Sequence, residues 1–197
     1  MIKSRKDYKE YLEHDRVALG KTRKTPHLVG DEIWKFERFL RKTEYYANCS
    51  KTVIGKCYSL WLKFRYHNIR KKLGFSIPLN VFGPGLSIAH YGTIVVNGNA
   101  CIGKNCRIQE STTIGATNGS DKAPQIGNNV FIGSGARIIG NVKIADNIAI
   151  GANAVVVKNF VEPGITIGGV PAKKISENSS FSNLSKNLFD NDFFVDG

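Results

Sequence analysis

His90 is the residue of this sequence best suited to chemistry. It is the last of four histidines in 197 residues, and the only one inside a repeat that runs from Phe82 to Val161. An imidazole with an ordinary pKa of about 6.5 can take a proton and give it back near neutral pH. A positioned histidine of this kind can serve as a general base or a general acid. Metal chemistry fits poorly, because a zinc-type site needs about three protein ligands and the repeat offers one histidine. No metal is expected, and a hydratase of the carbonic-anhydrase kind is set aside. The four cysteines, Cys49, Cys57, Cys101 and Cys106, show no C-x-x-C spacing. Cys106 falls at a small inward position and reads as core.

The repeat is what must position His90. Aliphatic residues recur every sixth position at Ile102, Ile108 and Ile114, then at Ile126, Ile132, Ile138, Ile144, Ile150 and Val156. Glycine often follows, as at Gly103, Gly115, Gly127, Gly133 and Gly151. Four positions on come small or aliphatic residues: Cys106, Thr112, Val130, Ala136, Val142 and Ala154. A period of six is neither helical nor a two-residue alternation; it marks a solenoid in which each repeat buries its apolar residue against the next. Phe82, Ile88 and Ile94 keep the same spacing, and two extra residues near Val95 shift the phase. Between Ile114 and Ile126 the aliphatic anchor lapses, and Gly115–Gln125 reads as a loop leaving the scaffold.

If three hexads make one coil, equivalent positions recur every 18 residues. With the two-residue shift and the loop allowed for, His90, Glu110, Ser134 and Ala152 fall in one column, spaced by about 4.8 Å per coil. Glu110 is thereby a candidate to orient His90 or to contact the acceptor.

Charge divides the chain. Residues 1–75 carry 19 Lys and Arg against 8 Asp and Glu, whereas 76–197 carry 9 against 8. A basic segment can favour nucleic acid, an anionic membrane surface or an anionic substrate, or can simply be a solvated helical face. It holds no recognisable nucleic-acid motif, so nucleic acid is not an expected partner. Three helices are predicted: over 4–19, from an N-cap at Asp31 through Leu40, and over 51–73 with Gly74 as its stop. This unit could shield the open first coil or mediate assembly. Three units are expected: a basic α-helical domain over 1–75, a solenoid domain over 76–175, and a mobile tail over 176–197. Charged residues interrupt every apolar run near the N-terminus, and no run reaches transmembrane length. A cytoplasmic setting is the expectation.

The repeat resembles the hexapeptide-repeat acyltransferases, and among them the serine acetyltransferase-like branch. The carriers are the run from Phe82-Gly-Pro-Gly through Ala89-His90-Tyr91-Gly92 to Val96, the loop opening at Ile114-Gly-Ala-Thr117, the Ile132–Ala136 hexad, and Gly169-Val-Pro-Ala-Lys173. The resemblance implies a mainly β fold, a left-handed parallel β-helix of triangular section, with a small N-terminal α-helical domain. It implies acetyl-CoA as co-substrate, His90 as general base, and coenzyme contacts at Thr117, Ser134, Ala152, Lys173 and Lys174. It also implies a homotrimer, possibly a dimer of trimers, with sites between subunits. Three positions depart from the branch. Ala89 stands where an aspartate precedes the histidine, Phe75-Ser76-Ile77-Pro78 where Asp-Ile-His-Pro is usual, and Lys122-Ala123-Pro124 where Arg-His-Pro is usual. These departures direct the expectation to O-acetylation of a sugar hydroxyl in polysaccharide biosynthesis. Serine O-acetylation for cysteine biosynthesis and a non-catalytic trimeric scaffold are the alternatives.

Overall fold

The computed structural model describes residues 1–117 and 119–189. Three helices lead the chain: α1 over Arg5–Ala18, α2 over Glu32–Cys49 and α3 over Val53–Leu73. Three of the boundaries have a local cause. Ser4 caps α1 by accepting from the Asp7 N–H, and Thr52 caps α3 by accepting from the Gly55 N–H. Gly74, at φ 77°, turns the chain out of α3. Asp31 precedes α2 but makes no side-chain cap there. Its carboxylate instead closes the preceding loop, taking Lys21 at 2.6 Å, Arg23 at 2.8 Å and the His27 N–H at 3.0 Å. Those bonds hold the carboxyl well below the usual carboxylate range, with Lys21 the largest cause.

From Phe75 onward the chain winds as a left-handed parallel β-helix with three faces. One face stacks Phe75–Ser76, Ile94–Val96, Thr112–Gly115, Arg137–Ile139 and Val155–Val156. A second stacks Cys101–Ile102, Gln125–Ile126 and Lys143–Ile144. The third stacks Ser87–Ile88, Arg107–Ile108, Phe131–Ile132, Ala149–Ile150 and Thr166–Gly168. The six-residue period is the burial pattern itself: Ile102, Ile108, Ile114, Ile126, Ile132, Ile138, Ile144, Ile150 and Val156 are all in the core, as are Cys106, Thr112, Val130, Ala136, Val142 and Ala154. Burial pushes the Cys106 thiol up to about 12, so it packs rather than reacts. At one corner Asn105, Asn129 and Asn147 each take a left-handed conformation and pass a side-chain hydrogen bond along at 2.8 and 2.9 Å. Asparagine tolerates that backbone, and the ladder ties successive coils.

The two-residue phase shift lies earlier than Val95. Ile88 pairs with Ile108, while Ile94 pairs with Thr112. Six positions in the first coil therefore match four in the second. The surplus sits in the turn 89–93, the turn that carries His90.

The helical unit closes the open first coil with charged side chains. Arg41 donates to the Phe82 carbonyl at 3.0 Å and to the Gly83 carbonyl at 2.6 Å. Asp15 accepts from the Gly85 and Leu86 N–H groups, both at 2.9 Å, Glu37 from Ile88 at 2.8 Å, and Glu44 from Asn80 at 2.7 Å. Arg41 also pairs with Asp15 and Glu44, and all four side chains are buried. An unpaired strand edge is thereby satisfied without a further strand. At the other end Lys173–Ser176 runs antiparallel to Thr166–Gly168. Beyond it, where the sequence reads as a mobile tail, Ser180–Asn183 and Lys186–Leu188 form 3-10 turns, and Leu184 and Leu188 pack on Val17 and Ala18 of α1. The late residues 190–197 of that tail lie outside the described residues.

Candidate active site

The corner at which the third face turns into the first carries the column expected from the repeat. Ile108, Ile132 and Ile150 pair in register, so the residues two positions on, Glu110, Ser134 and Ala152, follow one another along the corner, and His90 sits in the expanded turn that packs on Glu110. Two strand steps make that column about 10 Å long. Gly169 continues it, since Ile167 pairs with Ile150. Short-range packing holds the His90 turn in place. A Cβ on Gly92 would lie 2.9 Å from the Glu110 Cβ, so only glycine lets the expanded turn settle against the next coil. Tyr91 donates from its hydroxyl to Glu32 at 3.2 Å, tying the turn to the start of α2. His90 itself is exposed.

Glu110 is half-buried, with its two oxygens in different states. Oε1 accepts a short hydrogen bond from the Ser134 hydroxyl. Oε2 is shielded from solvent and has no partner among the described residues. The Ser134 bond, followed by the residue's own backbone N–H, holds the Glu110 carboxyl below its ordinary range, and the charge of His90 adds to this. Ser134 is fixed in turn, its N–H donating to Gln109 Oε1 at 3.0 Å. The result is an ionised carboxylate with one free oxygen, close enough to an exposed imidazole to feel its charge.

The other candidates divide. Ser134 and Ala152 share the column. Lys173 is exposed and pairs through its backbone with Gly168, at the far end of the same corner. Lys174 bonds Glu162 at 2.6 Å and Glu177 at 2.8 Å, so its cation is already engaged by two carboxylates. Thr117 lies at a different corner, beside Gly140 on the far side of the first face. A separate cavity of about 270 Å³ opens behind the His90 turn, bounded by Trp34, Ser87, Tyr91 and Arg107; His90 does not line it. Among the described residues no group of three His, Cys, Asp or Glu could hold a metal ion.

Sequence reading passed over Asp15, Glu37, Arg41 and Glu44. A signal was present: Glu37, Arg41 and Glu44 stand at four- and three-residue steps on the face of α2 that carries Ile33, Phe36 and Leu40. Charges interleaved with a helix's apolar stripe must find buried partners.

Two of the three departures turn out to be packing positions. Phe75 is buried, meeting the Phe36 ring edge-on at 5.0 Å, and Ala123 is buried in the solenoid core. They do not describe the chemistry of an acceptor.

Comparison with known proteins agrees. Residues 123–158 match the bacterial transferase hexapeptide (six repeats) family. The serine acetyltransferase of Buchnera aphidicola subsp. Schizaphis graminum is 36% identical over 115 residues, covering 57% of this chain and 42% of that protein. Among solved structures, a serine acetyltransferase in complex with CoA superposes with a TM-score of 0.65 at 25% identity, covering 87% of this chain and 71% of that one. The Neisseria gonorrhoeae serine acetyltransferase in complex with serine gives 0.63 at 27% identity, covering 88% and 71%. The chain spans under half the length of the Buchnera relative. The expectation of a sugar acceptor in polysaccharide biosynthesis is overturned by these likenesses, which are to serine acetyltransferases. Repeat, fold and sequence thus liken the chain to the hexapeptide-repeat transferases, and among them to serine acetyltransferases.

Proposed function

We propose that the chain is an acetyl-CoA-dependent serine O-acetyltransferase, acting by direct transfer with His90 as general base. The observation that carries this is the likeness to serine acetyltransferases over a solenoid that retains the histidine turn and the column beyond it. Neutral His90 takes the proton of the serine hydroxyl as the oxygen attacks the thioester carbonyl, then returns it to the departing thiolate. No covalent acyl-enzyme is needed. Glu110 is assigned to orient the imidazole through its free Oε2, which fits its held ionisation and its Ser134 anchor. The donor edge is assigned to Ser134, Ala152 and Lys173, with Thr117 and Lys174 as further contacts. The fit is supported by the bareness of that edge. Ala152 offers only a methyl, and a Cβ on Gly133 would meet the Ala152 nitrogen at 2.7 Å. An extended thioester arm can lie along such a corner, with Lys173 at its far end as a point charge for phosphate.

The same reading takes the protein as a cytoplasmic homotrimer with sites between subunits, its units divided at 75/76 and 175/176. Among the described residues no helix is long and apolar enough to cross a membrane. Incubation with acetyl-CoA and L-serine, followed by thiol release, tests the function. Serine-dependent release above acetyl-CoA hydrolysis is expected; its absence from folded protein overturns the assignment.

A further inference from the structure

The helix α3 buries one face and leaves another apolar face bare. Leu62 and Tyr66 pack into the body of the protein. On the opposite side Val53, Cys57, Leu60 and Phe64 follow at steps of four, three and four, with Ile54 and Trp61 beside them, and all six are exposed. Phe64 is 64% exposed and Leu60 67%, unusual for large apolar side chains repeated along one stripe. Cations flank the stripe on both sides. Lys56 and Lys63 run along one edge and Arg65 along the other, with Lys71 and Lys72 at the end. Among the described residues none of these five is in a salt bridge, and the sequence has no Asp or Glu between Glu44 and Glu110. Arg65 lies over the Trp61 ring at 5.3 Å, so an aromatic and a cation are presented together. A hollow of about 330 Å³ opens beside the stripe, lined by Lys56 and Lys63 with Ser50 and Ser59, a suitable seat for a phosphate.

We propose that this face docks the protein on the surface of an anionic lipid bilayer. The stripe would lie at the boundary between headgroups and acyl chains, with the lysine and arginine side chains reaching lipid phosphates. An aromatic and aliphatic face edged by Lys and Arg is the pattern of a helix that lies in a membrane interface rather than across it. Each cation near an anionic surface strengthens partitioning about fivefold, so the five flanking groups and the apolar stripe act together. A second copy of the chain is the other occupant such a stripe could take. Pairing the stripe with itself would bring Lys56, Lys63 and Arg65 against the same cations of the other copy, with no carboxylate on the helix to offset them. Charge therefore favours an anionic partner.

Flotation with vesicles tests this. The full chain is expected to bind vesicles containing phosphatidylglycerol at least tenfold more strongly than vesicles of phosphatidylcholine alone. Raised salt should weaken that binding, and the emission of Trp61 should move to the blue. Leu60→Ser with Phe64→Ser alters only exposed side chains, and should cut binding at least tenfold while leaving the unfolding midpoint and the turnover of soluble substrates unchanged. Lys56→Gln with Lys63→Gln should do the same. Equal binding to both vesicle types, or to neither, overturns the proposal. So does a fall in assembly mass caused by Leu60→Ser with Phe64→Ser in a protein that ignores vesicles, which would give the face to a second copy.

Discussion

Two glutamates in this molecule use one oxygen and leave the other unpartnered. Glu37, on α2, accepts the Ile88 N–H through Oε1 at 2.8 Å, and its Oε2 has no partner among the described residues. Glu110, at the His90 corner, accepts from Ser134 through Oε1, and its Oε2 is likewise unpartnered. Their ionisation is opposite. Complete burial, reinforced by the charge of Asp15, pushes Glu37 well above the ordinary carboxyl range. The Ser134 hydroxyl holds Glu110 below it. The same half-used carboxyl thus resists ionisation at the helix–coil junction and favours it at the corner. The extent of burial and a hydroxyl donor decide the difference.

The largest effect should come at the corner. Removing a general base lowers turnover by about 10²–10⁴-fold. His90→Ala should do so in a serine-dependent thiol-release assay, with an unchanged unfolding midpoint because the side chain is exposed. Turnover near wild type would remove His90 from the chemistry. The cap should respond in the opposite way. Arg41→Ala leaves Asp15 and Glu44 buried without their cation and frees the carbonyls of Phe82 and Gly83. Breaking a buried ion pair costs about 3–5 kcal/mol. Denaturant unfolding should show that loss, and a cost within ordinary surface values would mean that the first coil does not need its cap.

These two regions were not equally legible. The column of Glu110, Ser134 and Ala152 could be counted from Ile108, Ile132 and Ile150, because a solenoid converts sequence spacing directly into position. The cap could not be counted. Asp15, Glu37 and Arg41 come from different helices or turns, and they meet the chain at 82–88 only through tertiary packing. Even in the solenoid the reading slipped where the period broke. The surplus pair belongs to the turn 89–93 rather than to Val95, since a hydrophobic count places an insertion only between its nearest anchors. Thr117 stands apart from that column, because after the lapse at Gly115 the chain turns to another corner. The departures at Phe75 and Ala123 misled in a third way, because both side chains are absorbed by the core, and their identities report packing rather than an acceptor.

A pH series on the cap separates its upshifted glutamate from the rest. Glu37 has a folded pKa above its ordinary value of 4.5. Between the two values the folded state holds a proton that the unfolded state has lost, so stability falls as pH rises through that window. One proton sets a slope of at most about 1.4 kcal/mol per pH unit. Glu37→Gln keeps an acceptor for Ile88 and carries no charge to bury. Its stability should match wild type near pH 4 and exceed it increasingly as pH rises above 4.5, judged from unfolding free energies at each pH. Parallel curves for the two proteins would mean that Glu37 stays ionised when folded.

The smallest effect, and the one that tests the comparison most directly, is at Glu110. If its free Oε2 orients His90, Glu110→Gln removes the charge from that contact while keeping a carbonyl oxygen for the Ser134 hydroxyl. A hydrogen bond to a charged group contributes about 1.5–3 kcal/mol, which converts to roughly ten- to hundredfold in rate. Because the contact is to the base and not to substrate, the loss should fall on kcat and leave KM for serine and acetyl-CoA near wild type. The unfolding midpoint should not move, unlike that of the buried glutamate, since the half-buried corner can hydrate an amide. Ser134→Ala supplies the complementary case: it leaves the carboxylate but removes the donor that holds it ionised and in place, and it should lose part of the same kcat. A Glu110→Gln protein with unchanged kcat would make Glu110 a solvated edge carboxylate. It would also show that an unpartnered oxygen at the rim carries no more function than the unpartnered oxygen of Glu37 in the cap.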